Sequence, residues 1–549
     1  MAVIYIVILI GVLVFVHEFG HYIAARFFKV KVLSFSIGFG PRLFGFKRGD
    51  TSWDVRLLPL GGYVSMYGTE FEEVTDKADP DYERAYNNKP IWQKAIINLA
   101  GPLFNLLFPI PILFACYFAT VTDDYPSQIG QIFDNSPAVG VLESGDLITA
   151  IDGEPVKYWT PMRKLVSRRA GEAVEFTLVR DGETRTVTIT PQEETRRDAM
   201  DIMRENVGRI GVSVDMASSV IGIVHSQVPA ALYGLQTFDE IVSINGKSVR
   251  TYVDVERELR HNRADALQIG VLRPVLLDVP YGRVYVLAPI DVTIPGNYTT
   301  AQSLGIASGN MYLSDIDDNS PASRAGLERG DRVVALDGES VNVFHSMTAK
   351  LQNDWENPHT LTVLRDGKEF TTTLQLEKLT ITGEFQEEYP IIYSGFYHRT
   401  TYVMPEKLTK TVGERISFAA STSVEMTVKA STMLVVSIVR MFQGQVSTKS
   451  LGGPILIGHM ASKAGQEGID SFLRMMAIIS INLGILNLIP IPLFDGGKLA
   501  ILFVEAVKRG PLSMRTRQMI AYIGLALVLL LLMLAFKNDI ERLWNLFFS

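Results

Sequence analysis

Four stretches of the chain are apolar with few polar breaks, and a long region in which apolar and polar residues alternate separates the second from the third. The apolar stretches are residues 1–28, 95–120, 472–497 and 519–536. Each is close to the roughly 20 residues that span a bilayer as a helix. The first ends without a small-residue cleavage site, so it reads as a retained span and not a leader. Basic residues fix the direction. Arg26, Lys29, Lys31, Arg42, Lys47, Arg48, Lys89 and Lys94 cluster between the first two spans, and Lys498, Lys508, Arg509, Arg515 and Arg517 between the last two. Positive loops stay in the cytoplasm. Residues 29–94 and 498–518 are therefore expected inside; both termini and the region 121–471 are expected outside. The pattern predicts a polytopic α-helical membrane protein with four transmembrane helices and a large insertion.

The insertion repeats itself. Asn135-Ser136-Pro137-Ala138 returns as Gln227-Val228-Pro229-Ala230 and as Asn319-Ser320-Pro321-Ala322, at intervals of 92 residues. Such a period marks stacked modules. Each copy continues with an acidic residue ahead of a short apolar run, at Asp146, Asp239 and Asp331. Each then reaches a hairpin dipeptide: Asp152-Gly153, Asn245-Gly246 or Asp337-Gly338. These pairs favour the left-handed conformations of tight β-turns. The strand-and-turn pattern resembles tandem PDZ domains, over 126–195, 208–297 and 302–378. Phe238 stands where the other copies have Gly145 and Gly330, so the loop of the middle copy is expected to differ. Residues 404–460 mix charge with apolar positions and read as amphipathic helices on the membrane surface, not as a fifth span.

Composition narrows the function. Hydrophobic residues make up 47% of 549, beside 20% charged. The mean hydropathy is +0.17, which fits apolar spans joined to an ordinary soluble part. A net charge of −7 without a long basic block excludes nucleic acid as a partner. A single cysteine, Cys116, excludes an intrachain disulfide and any multi-cysteine metal site.

The candidate chemistry lies in the first span, in His17-Glu18-Phe19-Gly20-His21. Histidines four apart share one helix face, the spacing that lets two imidazoles hold one zinc ion. Glu18 is placed to act as general base on a water at the metal. Three ionisable residues near the end of an apolar span are costly unless they have partners or a function. Catalytic zinc sites take three protein ligands and keep a fourth position open. Asp495, in Asn487-Leu488-Ile489-Pro490-Ile491-Pro492-Leu493-Phe494-Asp495-Gly496-Gly497, is the candidate third ligand; a helix N-cap is its alternative role. The first and third spans run in the same direction, so both half-sites fall on the cytoplasmic side.

Together with Ala100-Gly101-Pro102-Leu103-Phe104-Asn105 and Leu451-Gly452-Gly453-Pro454-Ile455, these segments resemble the site-2 proteases. The resemblance implies regulated proteolysis inside a bacterial inner membrane, with Zn2+ as cofactor. It implies single-span substrates already trimmed by an upstream site-1-type protease, such as anti-sigma factors and signal-peptide remnants. It also implies a membrane-reentrant β-hairpin over 37–63. The glycines Gly38, Gly40, Gly61 and Gly62 would serve its tight turns, and Gly61 and Gly62 would lie on the substrate side. Asn487 would bind the substrate backbone. Known members carry two PDZ domains, and three are counted here. The domains would bind peptide ends or exclude bulky substrates. Two rival readings are a membrane scaffold without activity and a metal transporter; an intact His-Glu-x-x-His with its base speaks against both.

Overall fold

The computed structural model describes residues 2–548 except 70–72, 198–203, 280–281, 383–387, 400 and 445–451. Its chain forms two compact units. One comprises Met1–Thr122, Arg197–Arg204 and Lys410–Ser549; the other comprises Asp123–Arg196 and Glu205–Thr409.

In the first unit, α1 (Ala2–Phe27) is an unbroken helix. The second apolar stretch starts earlier than expected and is divided at Phe108 into α2 (Ile91–Leu107) and α3 (Pro109–Thr120). Proline explains the division, because Pro109 has no amide hydrogen to give the carbonyl of Asn105. That carbonyl accepts a hydrogen bond from Ser480 Oγ at 2.8 Å instead. Small residues let α1 and α2 touch along their backbones. A Cβ on Gly20 would stand 2.5 Å from the carbonyl oxygen of Ala100.

The third stretch is a helix over Ile469–Leu488, followed by an irregular turn and the helix Asp495–Lys508. The last apolar stretch is longer than expected, a helix over Met514–Phe548. The described part of residues 404–460 is largely helical. It holds one helix of 31 residues, Val412–Phe442, and one of 14, Pro454–Glu467. The longer is opened by a Thr411/Glu414 capping box. Among the described residues, five helical segments are long and apolar enough to cross a membrane, Val412–Met441 being the additional one. Leu451 lies outside the described residues. Its neighbours Gly453, Ile455 and Leu456 donate backbone hydrogen bonds to the buried carboxylate of Asp539 at 2.9–3.1 Å, which closes the start of Pro454–Glu467.

Between α1 and α2 the chain forms β1 (Val32–Arg48) and β2 (Thr51–Met66). The tight turn is at Gly49-Asp50, not at the four glycines expected to make turns. Gly38, Gly40 and Gly61 have φ of 88°, 83° and 121° and bend the strands midway. The start of β1 consequently pairs on both edges. Val32 to Ile37 face Met66 to Gly62, and Ser34 to Ile37 also face Ser52 to Val55. The expected hairpin is thus a small curled sheet of four limbs. It leaves Leu43, Phe44, Phe46, Leu57 and Leu58 more than half exposed, an apolar surface suited to lipid.

The second unit contains three copies of one module. Each has a four-stranded antiparallel sheet with the same spatial order. In the first copy this order is Glu154–Pro155, Leu147–Ile151, Val174–Arg180 and Glu183–Ile189. A helix follows the dipeptide hairpin in each: Trp159–Ser167, Tyr252–Arg260 and Phe344–Asn353. The central hairpin of the middle copy, Ala266–Val279 with Gly282–Pro295, is twice as long as its counterparts. Each copy runs past its expected end to a further strand. Gly211 and Ser213 bond back to Phe133 and Gly130, Ile306–Ser308 pairs with Ile221–Ile223, and Phe396–His398 pairs with Leu313–Ile316. Phe238 adopts φ of 78°, close to the 99° and 93° of Gly145 and Gly330. The loop of the middle copy therefore keeps the left-handed turn. Its cost to a side chain is offset where the ring is buried against Val220 and Tyr312.

Candidate metal centre

The candidate centre belongs to the first unit, where α1, α2 and the turn after Ile469–Leu488 meet. Helical spacing turns His17 and His21 to the same side of α1. Gly101 of α2 makes room for them: a Cβ there would lie 2.3 Å from His21 Nε2. Beyond Leu488, Pro490 and Pro492 prevent a regular helix, and Leu493 takes the left-handed region at φ 85°. Gly496 and Gly497 let the new helix start against this turn, since Cβ atoms there would be 2.3 Å from the carbonyl oxygens of Leu488 and Ile491. Asp495 occupies the first helical position without capping it, so the N-cap alternative does not hold.

Its carboxylate instead meets the histidines. Asp495 Oδ2 is 3.1 Å from His17 Nε2 and 3.3 Å from His21 Nε2, and the two Nε2 atoms are 3.3 Å apart. Ligand bonds of about 2.0–2.1 Å at tetrahedral angles put ligand atoms about 3.3 Å apart. The three atoms thus fit one face of a zinc tetrahedron. Among the described residues no other trio of His, Cys, Asp or Glu side chains converges in this way. All three are buried, at 9%, 7% and 6% exposure.

Other candidates surround them. Glu18 is half-buried on the same helix, and a Cβ on Gly62 would lie 3.3 Å from its Cγ. Gly62 therefore brings the last limb of the curled sheet against α1 at the general-base candidate. Gly61 lies over the ring of Phe39 rather than beside the ligand atoms. Asn487 Nδ2 is 3.5 Å from His17 Nε2. Of three further contacts, the first two join residues far apart in sequence and carry no signal in spacing, and the third is an i,i+3 pair on one helix. His21 Nδ1 is 2.7 Å from the carbonyl oxygen of Ile97, His17 Nδ1 is 3.2 Å from the side-chain amide of Asn105, and Lys498 Nζ is 3.4 Å from Asp495 Oδ1. The segment Ala100–Asn105 stands out in the sequence only through the family resemblance.

Comparison with known proteins agrees with this chemistry. Residues 5–531 match the family described as peptidase family M50. The chain is 28% identical over 549 residues to the regulator of sigma-E protease RseP of Salmonella typhimurium, covering 98% of each chain. It is 27% identical over 546 residues to the protein of that name from Escherichia coli, again with 98% of each covered. A Neisseria meningitidis protein described as a candidate zinc metalloprotease is 28% identical over 541 residues, 97% of each chain. With a match that covers nearly all of its length, the chain belongs to peptidase family M50.

Proposed function

We propose that His17, His21 and Asp495 hold the zinc of this intramembrane metalloprotease and that Glu18 is its general base. The convergence of three ligand atoms at tetrahedral spacing carries the proposal. Zinc held there supplies Lewis acidity to a water and to the scissile carbonyl. Glu18 accepts the proton of the attacking water and returns it to the leaving amine. Burial of the site among helices keeps bulk water away from these transfers.

A substrate helix must unwind first, because its carbonyls are engaged in intrahelical hydrogen bonds. The limb ending at Gly62–Met66 runs beside Glu18 and offers an edge on which an unwound segment can add as a strand. Asn487, beside His17, hydrogen-bonds that segment's backbone. The curled sheet with its apolar exposed residues is the membrane-reentrant element. Four helical segments cross the bilayer. The three repeated modules are PDZ domains; they lie with both termini in the periplasm, while the site faces the cytoplasmic half of a bacterial inner membrane. Relatives named as regulators of sigma-E support substrates of the anti-sigma-factor type, pre-trimmed by an upstream protease, and signal-peptide remnants as a second class.

The test uses full-length protein and a single-span substrate lacking its outer domain. Wild type cleaves, and Glu18→Gln retains zinc but loses at least about 10³-fold of the rate, within the range general-base removal produces. Equal cleavage by both sinks the role of Glu18. No cleavage by wild type across several such substrates favours the scaffold reading.

A further inference from the structure

The metal-binding reading constrains the far side of each imidazole. A neutral imidazole carries one proton, so an Nε2 lone pair directed at a metal places that proton on Nδ1. A buried Nδ1–H needs an acceptor, and that acceptor fixes both tautomer and ring orientation. For His21 the acceptor is evident: the carbonyl oxygen of Ile97, at 2.7 Å. For His17 the only group at Nδ1 among the described contacts is the side-chain amide of Asn105, at 3.2 Å.

Asn105 is fully buried, and its Oδ1 has no hydrogen-bond partner among the described residues. The nitrogen and oxygen ends of an amide are told apart by the bonds they make. With Nδ2 toward the ring, the proton of His17 would sit on Nε2, among the ligand atoms. A half-turn of the amide gives that oxygen the Nδ1–H. The residue is also held through its backbone, because Pro109 leaves its carbonyl to Ser480 Oγ. This ties α2 to the helix Ile469–Leu488, which leads to Asn487 and Asp495.

We propose that Asn105 is a positioning residue: its Oδ1 accepts the His17 Nδ1–H and keeps the Nε2 lone pair on the metal. The proposal rests on the metal-binding reading above. Its test measures zinc retained by purified full-length protein against a graded chelator, with helix content followed by circular dichroism. Asn105→Leu, similar in volume but without an acceptor, loses about 10- to 100-fold in zinc affinity, the usual cost of removing such a partner. Asn105→Asp, which keeps an acceptor, holds zinc more tightly than Asn105→Leu. A packing role predicts the reverse order, and that order, or wild-type affinity in Asn105→Leu, overturns the proposal. Should Asn105→Leu not fold, Asn105→Ala removes the acceptor without adding bulk and is read in the same way. His17→Ala separates the two readings: if it keeps wild-type zinc affinity, the metal centre itself is misassigned.

Discussion

At the scale of single residues, burial without a partner is the feature that makes predictions. His398 illustrates it outside the membrane. Its Nδ1 is buried with no hydrogen-bond partner among the described residues, and its ring lies 4.0 Å from that of Phe344. Burial holds its pKa below the usual 6.5. The unfolded chain therefore binds this proton at a higher pH than the folded one. The third module should have its full stability above about pH 6.5 and lose it as the pH falls toward the lower folded-state pKa. Denaturation monitored by hydrogen exchange in Phe344–Asn353 should show that slope, and His398→Phe should flatten it. An unchanged slope in the variant would assign it to other groups. The same scale marks the limit of reading from sequence. His17, Glu18 and His21 are legible because one helix turn relates them. The contact of Asn105 with His17 bridges 88 positions, and no local pattern encodes it.

At the scale of elements, the repeated modules share a clamp. Arg180, Arg273 and Arg365 each use Nε and Nη2 to bind both oxygens of an aspartate 34 positions earlier: Asp146, Asp239 and Asp331. These carboxylates are at most 1% exposed, and the fork joins the central strand to the turn before its neighbour. Removing one partner strands a buried charge, which costs about 3–5 kcal/mol in dry surroundings. Asp239→Ala should fall near the lower figure, because Arg273 is 17% exposed. Its effect should appear as lost exchange protection in Ala266–Pro295; protection equal to wild type would show that the clamp adds nothing. Turn chemistry made these modules legible. Asp152, Asn245 and Asp337 have φ near 50°, as their dipeptides require. The closing strands were not legible, since Phe396–His398 is three residues long and its residues lie 80 to 85 positions from their partners. The bent sheet was half legible: its glycines announce positive φ, but φ alone does not distinguish a turn from a bend within a strand.

At the scale of the whole membrane unit, the additional apolar helix raises the question of parity. If Val412–Phe442 simply added a crossing, the helix Ile469–Leu488 would reverse and Asp495 would fall on the wrong side for His17 and His21. The helix ends bear on this. Arg415, at the start of Val412–Phe442, stacks on Phe118 near the end of α3. Arg474, at the start of Ile469–Leu488, stacks on Tyr117 and bonds Thr120. Tyr5, at the start of α1, meets both Phe472 and Gly465. The chain therefore leaves and returns at one face between 412 and 469. The upward limb, Pro454–Glu467, is about 21 Å long at 1.5 Å per residue, too short to cross a core about 30 Å thick. A descending helix and a short ascending one would then form a re-entrant pair, the arrangement that keeps the count of crossings even and both half-sites on one side. Thiol labelling tests this in a Cys116→Ser background. In intact cells with a permeable outer membrane, an impermeant reagent should modify Glu467→Cys. Lys508→Cys should react only once the inner membrane is opened. Labelling of Lys508→Cys from outside, or protection of Glu467→Cys there, would mean that Val412–Phe442 crosses as an independent span. The two halves of the metal centre would then need another route to the same depth.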